Sequence, residues 1–354
     1  MVTKKDKFLL VLLALWLLIV SAFGILAWNH LQYKYNTPIE ISGNAIDNYY
    51  NLYGRRDLFR IGDALYYDYY YDESSWLHGT IKITNQGAER IHWKGIELKG
   101  WRVTNPILSY QNQLIMFFDR SDGFDYHPKV YNEESHSFEE VSSFPALNPS
   151  LCRSYYQQCE EGFYFLDGST LDRDCSLILY QNGEYFTILE GISWFYVQDN
   201  TIFYTTTDTD RHPEDDSPLH YTLYWRYDMS SKKSTKIISL NRWADYDTFF
   251  YQNLLILRNS YAVYTVDLSN AEKENMKRII ESNDAANLFN GVFYYSNENG
   301  VYRYCLEDGT TQLLCEREVI SIYIFDDCWV YMQGRDGALW RIEQTGANLQ
   351  HVYG

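Results

Sequence analysis

The chain has 354 residues and a formal net charge of −17, with 47 acidic against 30 basic residues. A surface of that sign repels nucleic acid and anionic lipid headgroups, so it excludes nucleic acid as a partner and favours a basic protein or a cation. Aromatic residues make up 18% of the chain and fall in short runs broken by Asn, Asp and Gly, which is typical of strands and turns.

The N-terminus carries a candidate membrane span. The 21 residues from Phe8 to Trp28 contain no charge, and at about 1.5 Å per residue a helix of that length reaches about 31 Å, enough to cross a bilayer. Lysines in the short tail 1–7 predict a cytoplasmic N-terminus with the rest of the chain outside the cell. A cleaved signal peptide is the alternative, because Ala22 and Gly24 could form a cleavage site. The sequence therefore predicts a single-pass signal anchor at 8–28 in the cell membrane, followed by a polar stalk at 29–56.

Residues 57–354 repeat one pattern: an aromatic strand, a turn, a second strand ending in Asp or Glu, and a glycine turn. The pattern is clearest from Val292 to Gly309 and from Cys328 to Gly346. The first strands of these hairpins start near Ala64, Gln113, Gly162, Thr201, Leu254, Val292 and Cys328. Their spacings of 36 to 53 residues fit four-stranded blades with variable loops. The sequence therefore predicts an all-β fold, a β-propeller of four-stranded blades, with seven units counted.

The two clearest repeats carry a family resemblance. Residues 293–297, Phe-Tyr-Tyr-Ser-Asn, followed by residues 301–309, Val-Tyr-Arg-Tyr-Cys-Leu-Glu-Asp-Gly, are similar to the repeats of YWTD propellers of lipoprotein receptors and of TolB-like propellers. They resemble still more the bacterial relatives of unknown function, propellers anchored by one N-terminal membrane helix in Gram-positive bacteria. The resemblance implies an extracellular propeller of the cell envelope. Such relatives commonly have six blades, so six stays open beside seven, and the motif is structural and carries over no site residue.

Six cysteines lie in two groups of three, and an odd number per group cannot pair completely within the group. Cys152 could pair with Cys159 or Cys175, and Cys315 with Cys328. No C-x-x-C pair is present, which argues against a zinc knuckle or a thioredoxin-like site.

The loops between second and third strands of the first four units are acidic. In a propeller these loops share one face with the connections between blades, so they would bring carboxylates together. The candidate binding residues are Asp72, Asp119, Asp122, Asp167, Asp172, Asp208, Asp210, Asp215 and Asp216. Such a surface suits a basic or cationic ligand, an envelope protein with a basic patch, or calcium, which takes oxygen ligands. The alternatives are that Asp serves there only as a turn former, and that the acidity only keeps an exported domain soluble.

Motifs of catalysis are absent from the sequence. It contains no G-x-S-x-G, no H-E-x-x-H and no G-x-G-x-x-G, so no cofactor is predicted apart from the calcium already named. The sequence favours a membrane-anchored binding or scaffold module of the envelope. A carbohydrate-active enzyme is the alternative, because paired carboxylates hydrolyse glycosides and Asp72 stands among aromatic residues.

Overall fold

The structure, a computed structural model, describes most of the chain after residue 57 and a few positions before it. The described residues are 13, 15–21, 41, 50, 58–70, 78–91, 101–110, 113–120, 126–132, 137–140, 156–159, 162–167, 175–210, 219–241, 246–259, 261–270, 276–281 and 283–354.

Within these residues, 28 strands form seven antiparallel sheets of four strands each, which we call blades 1 to 7 in chain order. Blades 1 and 2 contain β1 (Leu58–Ile61), β2 (Ala64–Tyr70), β3 (His78–Thr84), β4 (Gly87–Ile91), β5 (Trp101–Tyr110), β6 (Gln113–Arg120), β7 (Tyr126–Asn132) and β8 (Ser137–Glu140). Blades 3 and 4 contain β9 (Tyr156–Cys159), β10 (Gly162–Asp167), β11 (Cys175–Gln181), β12 (Glu184–Ile192), β13 (Trp194–Gln198), β14 (Thr201–Asp210), β15 (Leu219–Asp228) and β16 (Lys233–Asn241). Blade 5 contains β17 (Asp247–Tyr251), β18 (Leu254–Asn259), β19 (Ala262–Asp267) and β20 (Lys277–Ile280), with a 3-10 turn at Leu268–Asn270. Blades 6 and 7 contain β21 (Ala286–Phe289), β22 (Val292–Asn297), β23 (Gly300–Cys305), β24 (Thr311–Cys315), β25 (Val319–Tyr323), β26 (Trp329–Gly334), β27 (Leu339–Glu343) and β28 (Gln350–Tyr353).

In every blade the four strands are hydrogen-bonded in chain order, so each blade is an antiparallel meander. The second strands begin at Ala64, Gln113, Gly162, Thr201, Leu254, Val292 and Trp329. These are the starts that the sequence predicts, except in blade 7, where the second strand begins one residue later than predicted. The count of seven units is confirmed for the described residues, and the six-bladed alternative does not fit them.

The glycine of the repeat has a steric role at Gly300, the first residue of β23. Its φ of +144° lies where residues with a side chain are rarely found, and an added Cβ would lie 2.3 Å from the carbonyl oxygen of Cys315 in the neighbouring strand. Only glycine lets the two strands approach that closely. The repeat therefore keeps glycine here for strand packing.

First strands of consecutive blades contact one another and so form the inner wall of a ring. Gln157 in β9 bonds Val197 in β13 through both side-chain atoms, at 2.5 and 2.7 Å, and the rings of Tyr196 in β13 and Phe250 in β17 stack 5.8 Å apart. Residues of β1 also contact β5, and residues of β21 contact β25. The later strands of each blade therefore lie progressively farther from the axis.

Aromatic side chains fill the wedges between blades, among them Phe203, Tyr204, Tyr294 and Tyr295. All four are buried, and Phe203 in blade 4 stacks on Phe250 in blade 5 with ring centroids 4.1 Å apart. Burial of such rings is the main hydrophobic contribution available to a fold whose blades cannot be stable alone. These residues therefore serve to pack the blades.

Blade 1 packs against blade 7 and closes the ring. Arg60 in β1 forms an ion pair with Asp326, in the turn before β26, at 3.0 Å, and both side chains are at most 1% exposed. Tyr67 donates a hydrogen bond to the carbonyl of Gly337 at 2.6 Å and accepts one from Gln333 at 3.0 Å. Because every described blade consists of four consecutive strands, side-chain contacts and not an exchanged strand join the first blade to the last.

Of the predicted membrane span at 8–28, the structure describes Leu13 and residues 15–21, all helical. The apolar side chains from Leu15 to Val20 are 48 to 68% exposed. No helix among the described residues has both the length and the apolar character needed to cross a bilayer. The span is therefore not shown, and it stays a prediction together with the tail and the stalk.

The predicted bridge between Cys315 and Cys328 is wrong, since both are free thiols. Cys315 ends the outer strand of blade 6, where its Sγ lies 3.9 Å from the sulfur of Met332. Cys328 lies in the first turn of blade 7 and contacts Asp327 at 3.3 Å. The two sulfurs therefore face different neighbours. Cys152, part of the other predicted pairing, lies outside the described residues.

Candidate functional site

The ring has two faces that differ in the connections they carry. The turn face carries the connections from first to second and from third to fourth strands, such as residues 290–291 and 306–310 of blade 6. The loop face carries the connections from second to third strands and between blades, such as residues 298–299 and 316–318. Antiparallel order fixes this division, because each strand reverses the direction of the one before it.

Four of the nine predicted acidic residues lie on described strands. Asp119 is the penultimate residue of β6, Asp167 is the last residue of β10, and Asp208 and Asp210 lie at the end of β14. These are the second strands of blades 2, 3 and 4, and all of them end at the loop face. The fold thus places the four residues at one face in three consecutive blades. The remaining five, Asp72, Asp122, Asp172, Asp215 and Asp216, lie outside the described residues.

The four placed residues differ in their local setting. Asp167 is exposed. Asp208 pairs with Tyr221 and Asp210 with Leu219 in the ladder between β14 and β15, so they belong to a long hairpin that extends the blade toward the loop face. A carboxylate on a paired strand has its backbone fixed, which holds it better for binding than a carboxylate on an isolated turn.

Among the described residues, one group of side chains has metal-ligand spacing, and it is on the turn face. Asp326, Asp327 and Cys328 offer ligand atoms within 4.8 Å of one another. One oxygen of Asp326 already accepts hydrogen bonds from the backbone N–H groups of Cys328 and Trp329 at 2.9 and 2.8 Å, and the other bonds Arg60. This carboxylate therefore shapes a turn and closes the ring. Calcium at the loop face stays a prediction.

The inner wall of the ring is occupied near blades 4 and 5 by Tyr50. Its hydroxyl donates to the carbonyl of Phe250 at 2.9 Å and accepts from the N–H of the same residue at 2.8 Å. Its ring lies 5.0 Å from Phe249 and 5.5 Å from Tyr196, and only 6% of the residue is exposed. Both backbone groups of Phe250 point away from β18, so Tyr50 pairs a strand edge that would otherwise face the axis.

Tyr50 precedes blade 1 in the chain but binds the opposite side of the ring. Blade 1 begins at Leu58, eight residues later, and its neighbours in the ring are blades 2 and 7. Ile41, the other described residue of the predicted stalk, is buried in the cluster that joins blades 1 and 7. The chain before blade 1 therefore makes contacts on both sides of the axis, and the inner wall at blade 5 is not open to a ligand.

The seam between blades 1 and 7 also holds buried polar groups that sequence reasoning missed. Desolvation raises the pKa of the Asp326 carboxyl, against the opposing effect of the two backbone N–H groups and of Arg60. Burial raises the pKa of Tyr331 to about 12, so this phenol stays neutral. The hydroxyl of Tyr331 has no hydrogen-bond partner that meets ordinary geometry. No sequence signal marks the ion pair, because Arg60 and Asp326 are 266 positions apart.

A glycosidase would need two carboxylates facing one pocket, commonly about 5 to 10 Å apart. Asp119 and Asp167 lie on second strands, one strand away from the inner wall, and Tyr50 lines that wall at blades 4 and 5. No observation on the described residues favours the enzyme alternative.

Comparison with known proteins shows the fold. No protein-family model matches the chain, and no curated protein matches it in sequence. The β-propeller domain of the Trilobed protease from Pyrococcus furiosus, which has an open velcro topology, matches 84% of this chain and 97% of its own at 10% identity, with a TM-score of 0.53. Puromycin hydrolase matches 90% of this chain at 6% identity with a TM-score of 0.51. The tricorn protease matches 89% of this chain at 9% identity with a TM-score of 0.49.

The likenesses to the Trilobed protease propeller and to puromycin hydrolase show a β-propeller fold, as predicted. The chain spans 35% of the tricorn protease chain and 57% of the puromycin hydrolase chain, so those proteins have large parts with no counterpart here. At such low identity the match concerns the fold alone, and no activity follows from it.

Proposed function

We propose that this propeller is a binding or scaffold module that uses its loop face to hold a basic segment of a protein partner. The observation that carries the proposal is the placement of Asp119, Asp167, Asp208 and Asp210 at the loop-face ends of second strands in three consecutive blades. Ladder pairing with the third strand of each blade fixes the backbone at these four residues.

Charge supports the choice of a basic partner. The chain carries 17 more negative than positive charges, and such a field steers cationic ligands toward the face that carries the carboxylates. Contacts between exposed charges are screened by salt, over a length of about 8 Å at physiological ionic strength. Binding should therefore weaken steeply as salt rises. A basic peptide fits this surface better than a neutral sugar, which gains nothing from the charge.

The second part of the proposal is anchoring in the cell membrane through residues 8–28, with the propeller outside the cell as part of the envelope. The support is the uncharged run of 21 residues and the lysines that precede it. The described apolar side chains from Leu15 to Val20 contact no part of the propeller closely enough to be buried. Retention of the full chain in membranes after an alkaline wash is the expected result, and release of an intact or shortened chain would contradict anchoring.

The binding proposal is tested with a lysine-rich peptide of about ten residues as the probe and the full chain as the receptor. Replacing Asp208, Asp210, Asp215 and Asp216 by Asn should weaken binding at least tenfold. The matched control removes four exposed acidic residues of the turn face in one variant, Asp63→Asn, Glu184→Gln, Asp199→Asn and Glu307→Gln. Both variants lose the same formal charge, so general electrostatics cannot explain a difference between them.

The control should bind the probe within about threefold of the wild type at 0.15 M salt, where distant charges are screened. Equal weakening in both variants would show that only the net charge matters and would overturn a loop-face site. Thermal unfolding with millimolar calcium, compared with chelator, tests whether calcium is a ligand of this face as well. A ligand that binds only the folded state raises the midpoint of thermal unfolding. A calcium-dependent rise that the loop-face variant loses would show that these residues hold the metal.

A further inference from the structure

A cleft opens on the loop face at the junction of blades 6 and 7, away from the acidic blades. It is formed by the connection between the blades and by the turn from the second to the third strand of blade 7. Its volume is about 260 Å³, and its charged and aromatic lining consists of Arg317, Glu318, Arg335, Asp336 and Trp340. Ligand pockets for whole small molecules usually start at about 300 Å³, so this cleft fits one small group or a single residue of a partner.

One positive charge in this cleft is held in place and has no acidic partner. The guanidinium carbon of Arg317 lies 3.3 Å from the centroid of the Trp340 ring. His351 packs against the same indole, at 4.4 Å between ring centroids. Arg317 is half-buried, and among the described residues no carboxylate oxygen lies within 4.0 Å of its guanidinium. Stacking uses the flat side of a guanidinium and leaves the N–H groups at its edge available as donors.

The other charges of the cleft are already engaged. Glu318 pairs with Arg335 at 2.5 Å, on the exposed rim. Asp336 accepts a hydrogen bond from the backbone N–H of Ala338 at 3.0 Å, which shapes the turn. Arg317 is thus the charged group of the lining that lacks a counterpart. Fixed in position by the indole, it loses little side-chain entropy when an anion binds.

The surroundings select the class of anion. A guanidinium edge matches the two oxygens of a carboxylate or a phosphate. Glu318 and Asp336 lie in the same cleft, and the whole chain is acidic, so a second negative charge on the ligand would be repelled. Burial and the nearby Arg317 lower the pKa of His351, so at neutral pH the imidazole adds no positive charge to hold a dianion. A monoanionic carboxylate is therefore the best match.

We propose that the Arg317–Trp340 cleft binds a single carboxylate group, either the C-terminal carboxylate of a peptide or a small free carboxylate, through the edge of the stacked guanidinium. This site is separate from the acidic surface of blades 2 to 4, and its ligand has the opposite charge. It does not depend on the proposed function of that surface.

The test is saturation-transfer NMR of N-acetylglycylglycine with the full chain, compared with the same dipeptide as its C-terminal amide. The free acid should show a saturable signal and the amide none. Arg317→Gln should abolish the signal, and Arg317→Lys should weaken binding severalfold because it keeps the charge but loses the planar edge. The matched control is Arg278→Gln, which removes an exposed guanidinium of blade 5 and should leave binding unchanged.

Competition then identifies the source of the carboxylate. Displacement by an equal concentration of acetate means that any small carboxylate is a ligand, whereas displacement only by peptides with a free terminus means that the end of a chain is recognised. Both results retain the site.

The proposal is overturned if the amide binds as well as the acid, if Arg317→Gln binds normally while its thermal midpoint equals that of the wild type, or if inorganic phosphate displaces the dipeptide more effectively than acetate does. If Arg317→Gln lowers the midpoint of thermal unfolding, its loss of binding could come from unfolding, and Arg317→Lys is compared with Arg278→Gln instead. Equal affinity of these two variants for the dipeptide acid would count against the site.

Discussion

Asp267 and Asp308 on the turn face and Asp167 on the loop face show the same residue type used for different purposes. On the turn face, Asp267 and Asp308 accept hydrogen bonds from the backbone and hydroxyl of Ser269 and Thr310, in their own turns, at 2.6 to 2.9 Å. On the loop face, Asp167 ends a second strand and is exposed. A carboxylate bonded within its own turn shapes the backbone, while one at a strand end facing solvent is available to a partner.

The comparison shows that acidity alone says little about binding. Bonds from Ser231, Ser269 and Thr310 lower the pKa of Asp228, Asp267 and Asp308, respectively. All three residues lie at third-to-fourth strand turns, so aspartates form turns on the turn face. The loop face has to be judged separately, residue by residue. The turn face also carries the Arg60–Asp326 ion pair, which helps to close the ring, and the largest mutational effect is expected there.

The first prediction concerns the ion pair at the seam of the ring. Arg60→Met should lower the free energy of unfolding by about 3–5 kcal/mol, because it leaves the Asp326 carboxylate buried without its partner. Asp326 is fully buried, and the two residues join the first blade to the last. Urea unfolding of the full chain, followed by tryptophan fluorescence, measures the change.

The double variant Arg60→Met with Asp326→Asn is the control for this prediction. The amide oxygen can still accept from Cys328 and Trp329, and no buried charge remains, so much of the lost stability should return. A double variant as unstable as the single one would mean that Arg60 contributes through packing and not through its charge.

The second prediction concerns Tyr50, the contact that crosses the axis. Tyr50→Phe removes the hydroxyl and leaves the N–H and C=O of Phe250 unpaired, which should cost about 1–3 kcal/mol of unfolding free energy. Tyr261→Phe is the matched control, because Tyr261 is 79% exposed and should tolerate the change. Equal stabilities of the two variants would show that water replaces the hydroxyl and that the inner wall at blade 5 is open.

The ring itself could be predicted from the sequence, because its signal is local and repeated. Each blade is one meander with its own aromatic alternation and turns, so the second strands could be located at Ala64, Thr201 and Val292 without any tertiary information. The hairpin of β22 and β23 is the clearest case, since its strands and its glycine stand within one short phrase.

Contacts between distant positions could not be predicted in the same way. Tyr50 and Phe250 are 200 residues apart, and Arg60 and Asp326 are 266 apart. Each pair is brought together only by the closing of the ring, and nothing in the sequence near either partner indicates the other. The predicted bridge between Cys315 and Cys328 failed for the opposite reason, because the two residues are close in sequence but belong to different blades. The Arg317 cleft was missed because stacking on Trp340 joins a connection between blades to the start of a later strand.

The third prediction sharpens the contrast between the faces through pH. A carboxylate whose pKa is lowered by folding stabilises the folded state above its unfolded pKa, and this contribution is lost as the pH falls through the folded value. Asp267 and Asp308 have lowered pKa values, so part of the stability should disappear as the pH falls below about 4. Asp308→Ala should lower the thermal midpoint at pH 7 by less than Tyr50→Phe does, and it should reduce the loss on acidification. An unchanged acid profile in the variant would mean that the turn keeps its shape without the carboxylate.

The smallest effect on stability is expected for a substitution of Asp167 on the loop face. A negligible change in stability there is the result that distinguishes Asp167 from Asp308. Asp167 is exposed at the end of β10, and surface substitutions away from caps and buried networks usually change stability by less than about 0.5 kcal/mol. Asp167→Asn should therefore leave the thermal midpoint unchanged, whereas Asp308→Ala on the turn face lowers it. The same Asp167→Asn variant should weaken the lysine-rich peptide measurably, while Asp308→Ala should bind it normally. If instead Asp167→Asn destabilised the chain as much as Asp308→Ala and left peptide binding intact, both carboxylates would be turn formers, and the contrast between these two residues would be lost.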